Sequence, residues 1–199
     1  MAERAALIIV DMQVDFCPGG SLAVPEGDTI VPVINRYIDM FRDRGLPVIA
    51  SRDWHPPVTS HFRQFGGIWP PHCVQWSEGA RFHPDLRLPE DAIIVSKGLD
   101  PDRDDYSALR AALSSGLPFD DYLKQLGVTH LYVAGLATDY CVKWTALDGL
   151  KERYRVTVLI DAVQGVNLKP GDAAAALDAI AAAGGETADL GTVARDLPV

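Results

Sequence analysis

Three side chains of the 199-residue chain could together perform nucleophilic catalysis: the carboxylate of Asp11, the ammonium of Lys97 and the thiol of Cys141. A carboxylate can accept the proton of a thiol, and a nearby ammonium would stabilise the thiolate and the developing negative charge. Each residue alone also has an ordinary structural interpretation, as a turn former, a solvated lysine or a small buried cysteine. Together they predict an acid–base–nucleophile constellation.

The segment around Cys141, GLATDYCVKWTALDGL, is typical of a strand that ends and a helix that begins. Thr138 or Asp139 can cap this helix, which places Cys141 in its first turn. The free N–H groups and the positive end of the helix favour a thiolate there, and they could also stabilise an oxyanion. On this segment alone, an inert buried cysteine is the commoner outcome.

A second group has the residue types of a metal site. Asp53 and His55 are two positions apart, so their side chains point the same way at the end of an extended strand. His61 and His72 follow after loops that are long enough to fold back. Imidazole and carboxylate ligands suit zinc, iron or manganese, and the spacing does not distinguish these metals. The alternative is a histidine-rich loop that binds no metal.

Aromatic residues lie in the same parts of the chain as these polar groups. Such residues are usually core or loop anchors, but beside a reactive edge they could sandwich a flat aromatic substrate. The candidates are Phe16, Trp54, Trp69, Tyr106 and Tyr140. We interpret the remaining histidines and cysteines as structural: His83, His130, Cys17 and Cys73.

The elements that must position these groups alternate between short apolar strands and helix-like segments. The predicted strands are 5–10, 47–51, 92–95, 130–134, 155–160 and 186–190, and the predicted helices are 29–44, 119–126, 138–152 and 172–183. This alternation favours an α/β fold with three layers, in which helices cover both faces of a mostly parallel sheet. Sites in such sheets lie at the carboxyl ends of the strands. The candidate groups that follow predicted strands are Asp11, Asp53, His55, Lys97 and Cys141.

Composition narrows the class of protein further. The length fits a single domain over residues 1–199, and 18 basic against 27 acidic residues give a net charge of −9. Such a chain binds nucleic acid or anionic membranes poorly, so we expect neither as a partner. Three cysteines without CxxC spacing indicate a reducing cytoplasm rather than a disulfide framework. The first residues do not resemble a signal peptide, and no stretch has the ~18 apolar residues of a membrane span.

Several motifs resemble those of the nicotinamidases in the isochorismatase-like cysteine hydrolase superfamily. They are DMQVDFCPGGSLAV, SRDWHP followed by HF, WPPHCVQ, the KG pair at 97–98, and GLATDYCV. Each motif alone is only moderately specific, but their order and spacing together are highly specific from about residue 5 to residue 188. The resemblance implies an isochorismatase-like hydrolase fold with a six-stranded sheet.

The resemblance also implies roles for individual residues. It implies a catalytic triad of Asp11, Lys97 and Cys141, and a cis peptide bond at Leu136-Ala137. It implies an oxyanion hole formed by the backbone N–H groups of Ala137 and Cys141. The implied ligands of a divalent metal are Asp53, His55, His61 and His72, and the implied substrate pocket contains Phe16, Trp69, Tyr106 and Tyr140. Many relatives carry histidine where this chain has Tyr140.

The implied reaction is the hydrolytic deamidation of nicotinamide to nicotinate and ammonia through a cysteine thioester, with the metal on the pyridine nitrogen. Pyrazinamide is expected as a second substrate, NAD salvage is the expected setting, and homo-oligomerisation stays open. The alternative within the superfamily is a cysteine amidohydrolase acting on a carbamoyl or ureido amide; the candidate metal ligands argue against it, because they are the nicotinamidase-like feature. Isochorismatases typically lack the cysteine. An alternative of another class is a non-catalytic metal-binding module with an unreactive Cys141.

Overall fold

Six strands form the centre of the computed structural model, which describes residues 4–197. They are β1 (Ala5–Val10), β2 (Val48–Asp53), β3 (Ile93–Lys97), β4 (His130–Leu136), β5 (Arg155–Gln164) and β6 (Glu186–Ala188). They make one parallel sheet in the order β3-β2-β1-β4-β5-β6. The expected fold is therefore confirmed. The single domain over residues 1–199 remains a prediction, and residues 1–3, part of the segment compared with signal peptides, and residues 198–199 lie outside the described range.

The sequence of β1, AALIIV, explains why this strand is central. Ala5, Leu7 and Ile9 face one apolar layer, while the alternate residues face the other layer. All six side chains are buried. A parallel strand that is covered on both faces needs a continuous apolar run, because neither face meets water.

Helices cover both faces of the sheet. They are α1 (Val31–Arg42), α2 (Phe119–Gln125), α3 (Lys143–Lys151), α4 (Asp172–Ala182) and α5 (Leu190–Asp196). Tyr37 and Phe41 of α1 lie in the same apolar layer as Val193 of α5. Residues of α2, α3 and α4 lie in the opposite layer, for example Phe119 and Ile180. In the described part of the chain, no helix combines the length and apolar character that crossing a membrane requires.

Several elements differ from the predictions. The strand predicted to end at residue 51 extends to Asp53, so that residue is part of β2 rather than of the following loop. The helix predicted over 138–152 begins with a π-helical turn, Thr138–Val142. Helix α5 was not predicted, because its seven residues bury only one side chain, Val193. Its start is nevertheless marked by Asp189, which accepts a hydrogen bond from the backbone N–H of Thr192 at 2.8 Å.

A glycine lets the end of β4 lie against β1. Gly135 pairs with Val10 and has a φ of +110°, a conformation that residues with a Cβ rarely adopt. A Cβ at this position would lie 2.1 Å from the carbonyl oxygen of Val10. The close approach brings the segment that follows β4 beside the residue that follows β1.

Replacing Gly135 with alanine should lower the free energy of unfolding by at least about 2 kcal/mol, because backbone strain adds to a clash with the backbone of β1. Urea denaturation measures this loss. Gly66→Ala is the matched control, since Gly66 has a similar φ of +103° but nothing within 4 Å of the added Cβ. Equal losses in the two variants would show that the clash with Val10 does not contribute to the loss of stability.

Candidate active site

Four strand ends deliver the reactive groups to one edge of the sheet. Asp11 directly follows β1, Asp53 and Lys97 are the last residues of β2 and β3, and Cys141 lies in the π-helical turn after β4. Asp53 and Lys97 are neighbours because the register of β2 and β3 pairs them. All four residues are buried. The structure thus brings together side chains that are far apart in the sequence.

Lys97 is the centre of this group. Its Nζ lies 2.8 Å from Oδ2 of Asp11 and 3.4 Å from Sγ of Cys141, and it also donates a hydrogen bond to the carboxylate of Asp53. The other oxygen of Asp11 accepts a hydrogen bond from Ser51 Oγ at 2.7 Å. One carboxylate oxygen of Asp11, one of Asp53 and the sulfur of Cys141 all lie within 4.8 Å of one another. We refer to Asp11, Lys97 and Cys141 as the lysine cluster.

Burial and charge set the protonation states in the lysine cluster. Burial alone disfavours the ammonium, yet Asp11 and Asp53 raise the pKa of Lys97 well above its ordinary value. Burial raises the pKa of the Cys141 thiol well above its ordinary value, and the attraction of Lys97 only partly opposes this effect. Burial also raises the pKa of Asp11. Burial therefore favours the neutral thiol of Cys141, whereas the helix start favours the thiolate, and the carboxylate of Asp11 lies beside this thiol as a candidate base.

The turn that carries Cys141 differs from the helix start expected from the sequence. Neither Thr138 nor Asp139 makes a capping hydrogen bond through its side chain. The carboxylate of Asp139 instead accepts hydrogen bonds from the backbone N–H groups of Val166 and Asn167, at 2.9 and 2.8 Å. This contact ties the segment after β5 to the site. The cis peptide bond implied at Leu136-Ala137 is present.

Three buried histidines form a second group, which we call the histidine cluster: His55, His61 and His72. One ring nitrogen of each lies within 4.8 Å of the others. Nδ1 of His72 donates to the carbonyl oxygen of Pro70 at 2.8 Å, and Nδ1 of His61 contacts the carboxylate of Asp104. These contacts leave Nε2 of both rings available as a ligand atom, as in known metal sites.

The histidine cluster has the chemistry of a site for a divalent metal ion. Among residues 4–197, neither ring nitrogen of the buried His55 has a hydrogen-bond partner. Burial lowers the pKa of His72 to about 4 and also lowers that of His61, which favours in these two rings the neutral form that binds metals. An unpaired buried imidazole is costly unless a ligand completes it. The residues present therefore fit a divalent ion.

Asp53 connects the two clusters. One of its oxygens contacts Lys97, and the other lies 3.7 Å from Nε2 of His55 and 3.9 Å from Nε2 of His72. Burial opposes ionisation of this carboxyl, but Lys97 and the two histidines outweigh that effect and lower its pKa. The carboxylate of Asp53 thus faces the ammonium of Lys97 on one side and the candidate metal ligands on the other.

Gly98, in the KG motif, is required by the packing of His55. Gly98 has a φ of +68°, and a Cβ there would lie 2.5 Å from a carbon of the His55 ring. The backbone after β3 therefore passes directly against a candidate metal ligand, and only glycine permits this approach.

One cavity opens onto Cys141 of the lysine cluster and onto His61 and His72 of the histidine cluster, and its walls are largely aromatic. Trp69 Nε1 donates to the hydroxyl of Tyr106 at 3.0 Å, and the ring of Tyr140 lies edge-on to Trp69 at 5.2 Å. The cavity is lined by Phe16, Leu22, Asp53, His61, Trp69, His72, Tyr106, Leu136, Ala137, Tyr140, Cys141 and Val166. Of the aromatic residues singled out from the sequence, Trp54 is not among these. It packs on Trp76, with the guanidinium of Arg52 3.8 Å from its ring centre.

Sequence reasoning missed two residues that hold the site together. The side chain of Gln13 accepts from the backbone N–H of Asp53 and donates to its carbonyl oxygen, both at 2.8 Å. Asp15 accepts a hydrogen bond from the backbone N–H of Cys73 at 2.7 Å and so anchors the segment that carries His72. Both residues lie in the DMQVDF motif with Asp11. This proximity in the sequence is the signal that could have identified them.

The remaining histidines lie away from the cavity. Nε2 of His130 contacts Oγ1 of Thr157 at 2.8 Å within the sheet. Nδ1 of His83 accepts a hydrogen bond from the backbone N–H of Asp85 at 3.2 Å. These contacts are consistent with structural roles for both residues.

Comparisons with known proteins agree with this architecture. The isochorismatase domain model matches residues 5–191. The chain is 46% identical over 198 residues to the nicotinamidase of Escherichia coli (strain K12), covering 90% of this chain and 92% of that protein. The structure of the Pyrococcus horikoshii pyrazinamidase in complex with zinc is similar, with 45% identity, a TM-score of 0.86, and coverage of 94% of this chain and 99% of that one. PnC1 from L. infantum in complex with nicotinate has 34% identity and a TM-score of 0.83, covering 94% and 92% of the two chains.

The family match extends over nearly the whole described sheet and both clusters of the site. This chain belongs to the isochorismatase family.

Replacing Lys97 with methionine should lower the free energy of unfolding of chelator-treated protein by about 3–5 kcal/mol, because Asp11 and Asp53 would remain buried without their shared cation. Urea denaturation gives this value. Lys124→Met is the control, since the half-exposed Lys124 pairs with Asp120 and Glu152 at the surface, where ion pairs stabilise proteins little. A loss no larger than that of the control would contradict the central role of the buried ammonium.

Proposed function

We propose that this chain is a nicotinamidase that converts nicotinamide and water to nicotinate and ammonia. The observation that carries the proposal is that Cys141 of the lysine cluster lines the same aromatic-walled cavity as His61 and His72 of the histidine cluster. Further support comes from the 46% identity to the E. coli nicotinamidase and from the similarity to a protein solved in complex with nicotinate. A flat heteroaromatic amide suits a cavity whose walls are Phe16, Trp69, Tyr106 and Tyr140.

The first half of the reaction forms a thioester. Asp11 accepts the proton of the Cys141 thiol, and the resulting thiolate attacks the carboxamide carbon. The backbone N–H groups of Ala137 and Cys141 stabilise the oxyanion. Asp11 then gives its proton to the departing nitrogen, the C–N bond breaks, and ammonia leaves. Lys97 stays charged throughout and stabilises the thiolate.

The second half of the reaction regenerates the enzyme. Asp11 accepts a proton from a water molecule, which attacks the thioester carbon. The C–S bond breaks, Asp11 returns the proton to the sulfur of Cys141, and the carboxylic acid leaves and loses its proton to water to give nicotinate. The same carboxylate thus acts as base and acid in each half, which its raised pKa favours.

The candidate ligands of a divalent ion are His55, His61, His72 and Asp53. When bound, such an ion supplies a Lewis acid that can hold the ring nitrogen of the substrate. Zinc is our first choice because a similar structure is a complex with zinc, while iron and manganese also suit these ligands. Pyrazinamide keeps a ring nitrogen in the same place relative to its carboxamide, so we propose it as a second substrate.

The same proposal places the chain in the cytoplasm, where free thiols stay reduced. All three cysteines are free in the structure. We propose that a chain that consumes nicotinamide in the cytoplasm takes part in the salvage of NAD.

Replacing Cys141 with alanine should reduce kcat for ammonia release from nicotinamide by at least about 10⁴-fold, because the nucleophile is lost. Binding of nicotinamide, measured by titration calorimetry, should persist. Cys17→Ala is the control, since Cys17 is buried outside the cavity. Full turnover by the Cys141 variant would eliminate the thioester mechanism. Ammonia release from a ureido amide, and not from nicotinamide, would favour the related amidohydrolase.

Replacing His55 with alanine should remove most of the bound metal and raise KM for nicotinamide, because the ion loses a buried imidazole ligand. Elemental analysis of the purified protein and steady-state kinetics measure the two effects. His83→Ala serves as the control, since His83 lies outside the histidine cluster. Unchanged metal content in the His55 variant would reject this residue as a ligand.

A further inference from the structure

The carboxylate of Asp104 lies against the ring of His61 and contacts its Nδ1. We propose that Asp104 is a positioning residue that holds His61 in the tautomer and orientation needed to bind a metal ion. This inference rests on the metal site of the proposed function. No role was assigned to this residue from the sequence, and it lies 43 positions from its partner.

The contact determines which ring nitrogen carries the proton. A carboxylate only accepts hydrogen bonds, so Nδ1 of His61 must be the donor to Asp104 and Nε2 keeps its lone pair. His72 follows the same rule, with the Pro70 carbonyl as the acceptor. A carboxylate makes the imidazole a stronger base than a carbonyl does, so Asp104 should strengthen the bond from His61 to a cation.

The backbone around Asp104 is fastened to the segment that carries His61. The carbonyl oxygen of Pro101 accepts hydrogen bonds from Thr59 Oγ1 at 3.0 Å, Ser60 N at 2.7 Å and Ser60 Oγ at 2.9 Å. These contacts fix the two segments relative to each other. Asp104 therefore approaches His61 from a backbone that is already anchored, and little side-chain freedom remains to be lost.

The same segment continues into the wall of the cavity. Tyr106 follows Asp104 by two residues, and its ring centre lies 5.9 Å from that of His61. Its hydroxyl accepts the hydrogen bond from Trp69. Asp104 thus connects a candidate metal ligand with the aromatic residues proposed to hold the substrate ring. Loss of its carboxylate should weaken metal binding and raise KM more than it lowers kcat.

The size of the expected loss in metal affinity depends on how exposed Asp104 is to solvent. The side chain of Asp104 is 53% exposed, so water and salt screen its charge, whereas His61 is 5% exposed. Loss of such an outer partner typically costs 10- to 100-fold in metal affinity. For a half-exposed carboxylate we expect a loss of about tenfold, at the lower end of that range.

Three variants of the full chain test the inference: Asp104→Ala, Asp104→Asn and Asp102→Ala. The side chain of Asp102 has no hydrogen bond or ion pair within residues 4–197, so its replacement controls for the lost negative charge on the same segment. Zn²⁺ affinity is measured by competition with a chromophoric chelator, and the visible spectrum of the Co²⁺-loaded protein reports on ligand geometry. Nicotinamide kinetics then give KM and kcat separately.

We expect Asp104→Ala to bind Zn²⁺ about tenfold more weakly and to change the Co²⁺ spectrum. Asp104→Asn should lose less, because an amide oxygen can still accept the hydrogen bond from Nδ1. Asp102→Ala should match the unmodified chain. Unchanged affinity in both Asp104 variants would overturn the inference, as would an equal loss in Asp102→Ala.

The unmodified chain separates this inference from the proposed function. Failure of the unmodified chain to bind Zn²⁺ or Co²⁺ would overturn both the metal site and the role of Asp104. Metal binding without ammonia release from nicotinamide would contradict the proposed substrate. In that case the order of the Zn²⁺ affinities would still decide whether Asp104 positions His61.

Discussion

The site depends on one buried ammonium group shared by two carboxylates and a thiol. Without Lys97, Asp11 and Asp53 would face each other in a region from which water is excluded, where an unpaired charge is very costly. Three parallel strands must therefore end at the same level so that these groups meet. This need explains why β2 extends to Asp53 and why β4 packs against β1 through Gly135.

The balance of charge also links the two clusters. Asp11 and Asp53 as carboxylates outnumber Lys97 as an ammonium, so the buried group carries a net negative charge when both carboxyls are ionised. That excess helps to keep the thiol of Cys141 protonated. The free oxygen of Asp53 points towards the histidine cluster, where a cation would compensate the excess. Electrostatic interactions through Asp53 thus couple the nucleophile, Cys141, to the candidate metal site.

Much of the fold could be predicted because parallel strands and their covering helices have strong local patterns. The run AALIIV is apolar on both faces, and α1 repeats its buried residues at helical spacing. Element ends were less predictable, since they depend on partners elsewhere in the chain. Asp53 extends β2 because it pairs with Lys97, and Asp139 leaves its helix uncapped because it binds the segment at Val166.

The sequence by itself determined the residue types, their order along the chain and the sheet edge at which they would meet. Only the tertiary structure decided which groups touch: that Asp53 shares Lys97, that Trp54 lies away from the cavity, and that Asp104 holds His61. The physical reason is the distance along the chain. Periodicity reports on neighbours within one helix or strand, whereas the contacts of Asp53 with Lys97 and of Asp104 with His61 join residues more than 40 positions apart and depend on register and loop packing.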